Sequence, residues 1–134
     1  MFVLICGSGK VGVHLVRSLV ADGYEVAIIE RDEDIGRTVA EHFPDVCVFS
    51  GDATESSVLR HAGIERADVV VAAAGDDKDN YTICKIARRM FNVPRCVARV
   101  NEPALHDLFR AEGVGAIINV TAMAAQAIES AVNS

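Results

Sequence analysis

Gly7-Ser8-Gly9-Lys10-Val11-Gly12 has the residue types and spacing to hold a phosphate. The apolar run Phe2 to Cys6 precedes it, and a helical pattern follows to about Ala21. Gly7 would permit a tight turn off a strand. Gly9, with no Cβ, would let the backbone close on an anion, and Gly12 would let the helix pack on the strand. The new helix would aim free N–H groups and its positive dipole end at the phosphate. Lys10 could meet a terminal phosphate or face water, and Val11 completes the turn.

A second chemical feature lies about twenty residues on, the spacing at which a ribose carboxylate is expected. Tyr24 to Ile29 reads as a strand and Glu30 closes it, with Arg31 beside it. Glu30 could accept both ribose hydroxyls, and its charge would disfavour a 2′-phosphate, an effect that Arg31 offsets in part. Further along, Asp52 in Ser50-Gly51-Asp52-Ala53-Thr54 could accept from an adenine amino group, cap the next helix, or do both. Ala74-Gly75 ends a fourth apolar run. Arg99 is a basic residue in an otherwise apolar strand, so it needs a partner: a carboxylate of the fold, or a ligand phosphate or ribose. Asn80, at the start of a helix, is expected to tie down its own loop.

The elements that must position these residues alternate along the chain. Strands are expected at 2–6, 24–30, 46–49, 68–73, 96–100 and 115–119, each followed by a helix. In the helix opened by Glu102-Pro103, Leu105, Leu108 and Phe109 should face inward. Asp32 is the expected N-cap of the second helix. Strict β-α alternation with short connections predicts an α/β chain, a Rossmann-like doubly wound six-stranded parallel sheet in the order 3-2-1-4-5-6. The ligand would lie across the carboxyl ends of the strands, where the order reverses.

Composition narrows the function classes. The 134 residues suit one domain, and with 51% apolar but only 5% aromatic residues the core must be built from Val, Ile, Ala and Leu. The net charge of −6, without a Lys/Arg cluster, argues against nucleic acid as a partner. The apolar runs are strand-sized and no basic segment precedes the first, so a soluble cytoplasmic protein is expected. Cys6, Cys47, Cys84 and Cys96 form no C-x-x-C pair and read as small buried hydrophobes. His14, His42, His61 and His106 lack metal-ligand spacing and read as surface residues.

The chain resembles the nucleotide-binding RCK (KTN, TrkA-N) domain that regulates potassium transport. Beyond the glycine turn, the likeness lies in Gly51-Asp52-Ala53-Thr54 with Leu59 and Ala62-Gly63-Ile64, and in Asp76-Asp77 with Asn80. It extends through Cys84 to Arg99, with Ala87-Arg88, Phe91-Asn92 and Pro94, and runs to about Asn119. The resemblance implies NAD(H), or ATP/ADP or AMP, as a regulatory ligand held by the phosphate turn, Glu30, Asp52-Ala53, Ala74-Gly75 and Arg99, with Arg31 beside Glu30 as a further candidate. It also implies a homodimer or larger ring docked on the inner face of a membrane potassium transporter or channel subunit. In ATP-sensing members a basic residue at the position of Lys10 reaches the terminal phosphate. Residues 1–120 would be the nucleotide-binding domain. Residues 121–134, an unusually apolar helix, would lie at a dimer interface. The family's C-terminal ligand-binding subdomain has no counterpart in these residues. Val120-Thr121-Ala122-Met123 stands where many members have Pro-Glu.

A regulatory subunit without chemistry is therefore the expected function. The alternative is the cofactor domain of an NAD-dependent oxidoreductase, but the chain leaves little room for a substrate domain and offers no evident proton donor. A module whose nucleotide is purely structural is a third reading.

Overall fold

The computed structural model describes every residue except Ser8, so that member of the expected phosphate turn lies outside the described residues. Among the described residues, six strands alternate with helices: β1 Phe2–Cys6, α1 Gly9–Ala21, β2 Glu25–Glu30, α2 Glu33–His42, β3 Cys47–Ser50, α3 Ser56–His61, β4 Val69–Ala72, α4 Asp77–Arg89, β5 Arg95–Arg99, α5 His106–Ala111, β6 Ala116–Ile118 and α6 Val120–Val132. The strand pairings are parallel and the order is β3-β2-β1-β4-β5-β6, as the alternation predicts.

Side-chain alternation along each strand splits the core into two layers. Phe2, Leu4, Cys6, Ala27, Ile29, Val70, Ala72, Cys96 and Ala98 face α3, α4 and α5, packing on Leu59, Ile83 and Phe109. Val3, Ile5, Val26, Ile28 and Val69 face the other way, against Val16 of α1 and Val39 of α2. Every residue of β1 is buried, as a central parallel strand requires. On the α1 side the cover is incomplete. Val71, Val97 and Ile118 remain partly exposed there, and α6 buries none of its residues.

Local capping follows the sequence closely at α2, where Asp32 Oδ1 accepts from Asp34 N at 2.9 Å and Ile35 N at 3.3 Å. Arg89 and Tyr81 of α4 both donate to Glu112, tying α4 to the turn after α5.

Three expectations need correction. The helix expected to open at Pro103 is a 3₁₀ turn, Pro103–Leu105, leading into α5. The change of pitch sends Leu105 and Phe109 inward and turns Leu108 out to 45% exposure. Cys6, Cys84 and Cys96 are buried, but Cys47 is exposed because β3 is an edge strand. His14, His42 and His61 are exposed, whereas His106 is half-buried at the start of α5 and its Nε2 has no hydrogen-bond partner among the described residues.

Phe109→Ala is expected to cost about 3–5 kcal/mol of unfolding free energy, and Leu108→Ala about 0.5 kcal/mol or less, in urea titrations. The reverse ranking would contradict this helix phase.

Candidate nucleotide-binding cleft

The chain leaves β1 for β2 in one direction and reaches β4 on the other side, so the loops at the carboxyl ends of β1 and β4 part. A cleft of about 440 Å³ opens there. Its floor is Cys6, Gly7 and Gly9. Glu30 and Arg31 form one wall with Asp52, Ala53 and Thr54, and the loop Ala74-Gly75-Asp76 forms the other.

The glycine turn has the shape of an anion cradle. Gly7 has φ +55° and its N–H donates to Ile29 O at 2.8 Å, which pins the turn to the end of β2. Gly9 has φ +56°, and a Cβ built on it would meet nothing within 4 Å. A side chain there would thus stand in open space that a phosphate could fill, in a conformation that L-residues resist. Gly12 is buried within α1 beside Val16.

Glu30, only 9% exposed, accepts from Asp32 N at 3.2 Å. Asp52 is more tightly held. Its Oδ1 accepts from Thr54 N at 2.9 Å and Thr54 Oγ1 at 2.6 Å, and its Oδ2 lies 2.7 Å from Arg31 Nη2. The Arg31 guanidinium and the Thr54 donors pull its carboxyl down to about 2. The expected cap role is not what Asp52 performs: it closes a turn on Thr54, and the N-cap position of α3 belongs to Glu55.

Asn80 is fully buried and ties down its loop as expected. Its Oδ1 accepts from Ala74 N at 2.9 Å, and its Nδ2 donates to Ala74 O at 2.8 Å and Arg99 O at 2.9 Å. Polar contacts continue from there to α6. Asp77 accepts from Asn101 N and Glu102 N, Asn101 Nδ2 donates to Gly75 O, and Asn119 Nδ2 donates to Asn101 O. Asn119 Oδ1 in turn caps α6 at Ala122 N, 2.9 Å away.

The structure therefore brings together Gly7, Gly9, Glu30, Arg31, Asp52, Ala53, Ala74 and Gly75 of the expected set. It does not bring Arg99 or Val11 to them. Both line a second, largely apolar groove of about 370 Å³ on the α1 side of the sheet, with Val3, Leu15, Val71 and Val97. The reason is strand alternation: Cys96 and Ala98 face α4, so Val97 and Arg99 face away. Arg99's partner in the fold is not a carboxylate; its Nε donates to Asn101 Oδ1 at 3.3 Å. Lys10 is exposed and borders a shallow crevice with His14, Asp34 and Thr38. Sequence reasoning missed Thr54, Asp76 and Asp79 on the cleft wall. Thr54 stood in the same short motif as Asp52, and the two aspartates stood in the polar run that ends the loop after β4 and opens α4.

The wall is acidic: among the described residues that line it, Glu30, Asp52, Asp76 and Asp79 stand against Arg31. Such a wall suits donors, as ribose hydroxyls and a base amino group are. The glycine turn and the N-terminus of α1 are where negative charge is tolerated. Those two halves match the two ends of an adenine nucleotide.

The model of the TrkA-N domain matches residues 3–120. The chain belongs to the TrkA-N family. It is 42% identical to the Trk system potassium uptake protein TrkA of Mycobacterium tuberculosis over 133 residues, 98% of this chain and 60% of that protein. It is 35% identical to a TrkA homolog of Methanothermobacter thermautotrophicus over 129 residues, 96% of this chain and 59% of that one. The chain thus spans about three-fifths of the length of these relatives. Among solved structures, the TrkA-N domain of the inner membrane protein ybaL from Escherichia coli superposes with a TM-score of 0.85 at 19% identity, covering 96% of this chain and 94% of that one. The GsuK channel bound to NAD gives 0.76 at 23%, covering 90% of this chain and 21% of that one. The Kef CTD of Shewanella denitrificans in its AMP-bound form gives 0.72 at 25%, covering 99% and 76%. These likenesses agree with the Rossmann-like sheet order. No helix among the described residues is long and apolar enough to cross a membrane.

Asn80→Ala should cost about 3 kcal/mol, because it leaves the Ala74 N–H and two carbonyls unpaired in a buried setting. Hydrogen exchange should report it as faster exchange at the amide of Ala74.

Proposed function

We propose that this TrkA-N chain is the nucleotide-sensing part of a potassium-transport system, and that its ligand is an adenine nucleotide, NAD(H) before ATP/ADP or AMP. The observation that carries the reading is the open space at Gly9, at positive φ, facing a cleft whose far wall holds Glu30. The diphosphate lies on the Gly7–Gly9 turn at the N-terminus of α1, the ribose on Glu30, and the base between Ala53 and the Ala74-Gly75 loop. NAD in the GsuK channel structure and AMP in the Kef structure support an adenine nucleotide as ligand. The naming of the relatives as potassium uptake proteins supports the transport role.

No bond is made or broken in this role; the ligand acts by differential affinity. Nucleotide that binds one arrangement of the β4 loop better than another shifts the population toward it, by no more than that difference. The loop connects to α6 through Asp77, Asn101 and Asn119, each within hydrogen-bond distance of the next. An altered loop therefore alters the anchoring of α6.

Helix α6 is where a second copy engages. It presents Met123 and Ile128 at 57% and 65% exposure, and its single charged side chain is Glu129. The apolar groove on the α1 side of the sheet is bordered by Arg95 and Arg99. A partner's α6 laid there covers the exposed sheet face and brings Glu129 to the guanidiniums. The resulting homodimer, or a ring built from it, docks at the cytoplasmic face of a membrane transporter or channel subunit.

Saturating NADH, NAD, ADP or AMP should raise the melting temperature; a ligand at 100 times its Kd adds about 2.7 kcal/mol of stability. Gly9→Val should abolish that shift while leaving the sheet's circular dichroism intact. No shift with any of the four would remove the nucleotide reading.

Ile128→Glu should convert a dimer to a monomer in sedimentation velocity without loss of secondary structure. A chain that is monomeric before the substitution would refute the role of α6.

A further inference from the structure

Resting on the nucleotide reading above, we propose that Asp52 decides which adenine dinucleotide the cleft accepts, by holding Arg31 away from the 2′ position of the ribose. A guanidinium one residue past the ribose carboxylate is well placed to pair with a 2′-phosphate. Arg31 occupies that place, yet its Nη2 lies 2.7 Å from Asp52 Oδ2.

Asp52 is built to keep this hold. It stands just past the end of the neighbouring strand, where Glu30 is in register with Ser50, so Arg31 reaches it across one strand spacing. Its other oxygen is occupied by the amide and hydroxyl of Thr54, which fix the carboxylate on its own loop. Both partners line the cleft. Without Asp52, Arg31 would be a long, largely exposed side chain free to turn toward the ribose; its side chain is 64% exposed even in the pair. A 2′-phosphate entering the cleft therefore meets the Glu30 carboxylate and a cation that is already neutralised. Because the Asp52 carboxyl is pulled down to about 2, the pair stays charged through the neutral range.

Asp52 thus acts as a positioning residue through Arg31, and the reporter of that role is a ratio of affinities. Titration calorimetry on the full chain with NADH and NADPH should show a preference for NADH. Asp52→Asn should narrow that preference about tenfold, chiefly by tightening NADPH, as one additional charge-assisted hydrogen bond to the 2′-phosphate would do. Adding Arg31→Gln should restore the wild-type ratio. If Asp52→Asn does not fold by circular dichroism, Asp52→Ser, which retains a short acceptor for the Thr54 amide, is read in the same way. An unchanged ratio in a folded variant that still binds NADH overturns the proposal alone, as does a narrowing that persists without Arg31. If the wild-type chain binds neither dinucleotide, the nucleotide reading falls and this proposal with it.

Discussion

The structure depends on one topological constraint: β1 and β4 are neighbours in the sheet, but the chain leaves β1 toward β2 and leaves β4 toward β5, in opposite directions. Two loops that start from adjacent strands must then diverge, and a crevice is left between them. The constraint also explains the glycine turn. The chain has to leave β1 at once, and it does so at Gly7 with φ +55° and an amide bonded to the neighbouring strand. A residue with a Cβ would be strained in that conformation, and at Gly9 it would also stand in the cleft.

The opposite wall is held by a different device. The loop after β4 has no regular ladder of its own, so its position rests on the fully buried Asn80, which satisfies both backbone groups of Ala74 and reaches Arg99 O. A buried amide with good partners is rigid, because the alternative is several unpaired polar groups in a dry setting. The same loop passes its position on to Asn101 and Asn119, and so to the cap of α6. The cleft and the exposed helix are thus parts of one polar scaffold.

Much of this was legible in the sequence. Alternating apolar runs and helical segments specified a parallel sheet and its order, because right-handed crossovers leave few other arrangements. The Asp32 cap and the role of Asn80 could be read from neighbouring residues. Errors arose where a residue's direction depended on something distant. Leu108 was expected inside because a continuous helix was assumed from Pro103, and the 3₁₀ turn shifts the phase by a fraction of a turn. Arg99 was open between a carboxylate of the fold and a ligand group, with the resemblance pointing to the ligand, but the period of two sends its side chain to the face of the apolar groove. Asp52 was expected to meet an adenine amino group, cap a helix, or do both; of these the cap falls away, because Thr54 and Arg31 hold its oxygens and Glu55 takes the N-cap position.

The sequence by itself determined the strand order, because hydrophobic periods and glycine positions act over a few residues; the family was legible separately, through the resemblance carried by Gly51-Asp52-Ala53-Thr54, Asp76-Asp77 with Asn80 and the run from Cys84 to Arg99. Only the tertiary structure decided the company each polar side chain keeps: Arg31 with Asp52, Asn80 with two strand ends, Arg99 with the apolar groove. It also decided that α6 lies open along its whole length. The physical reason is that local spacing sets where a side chain starts, while its partner is supplied by another strand or loop that the sequence brings near only on folding.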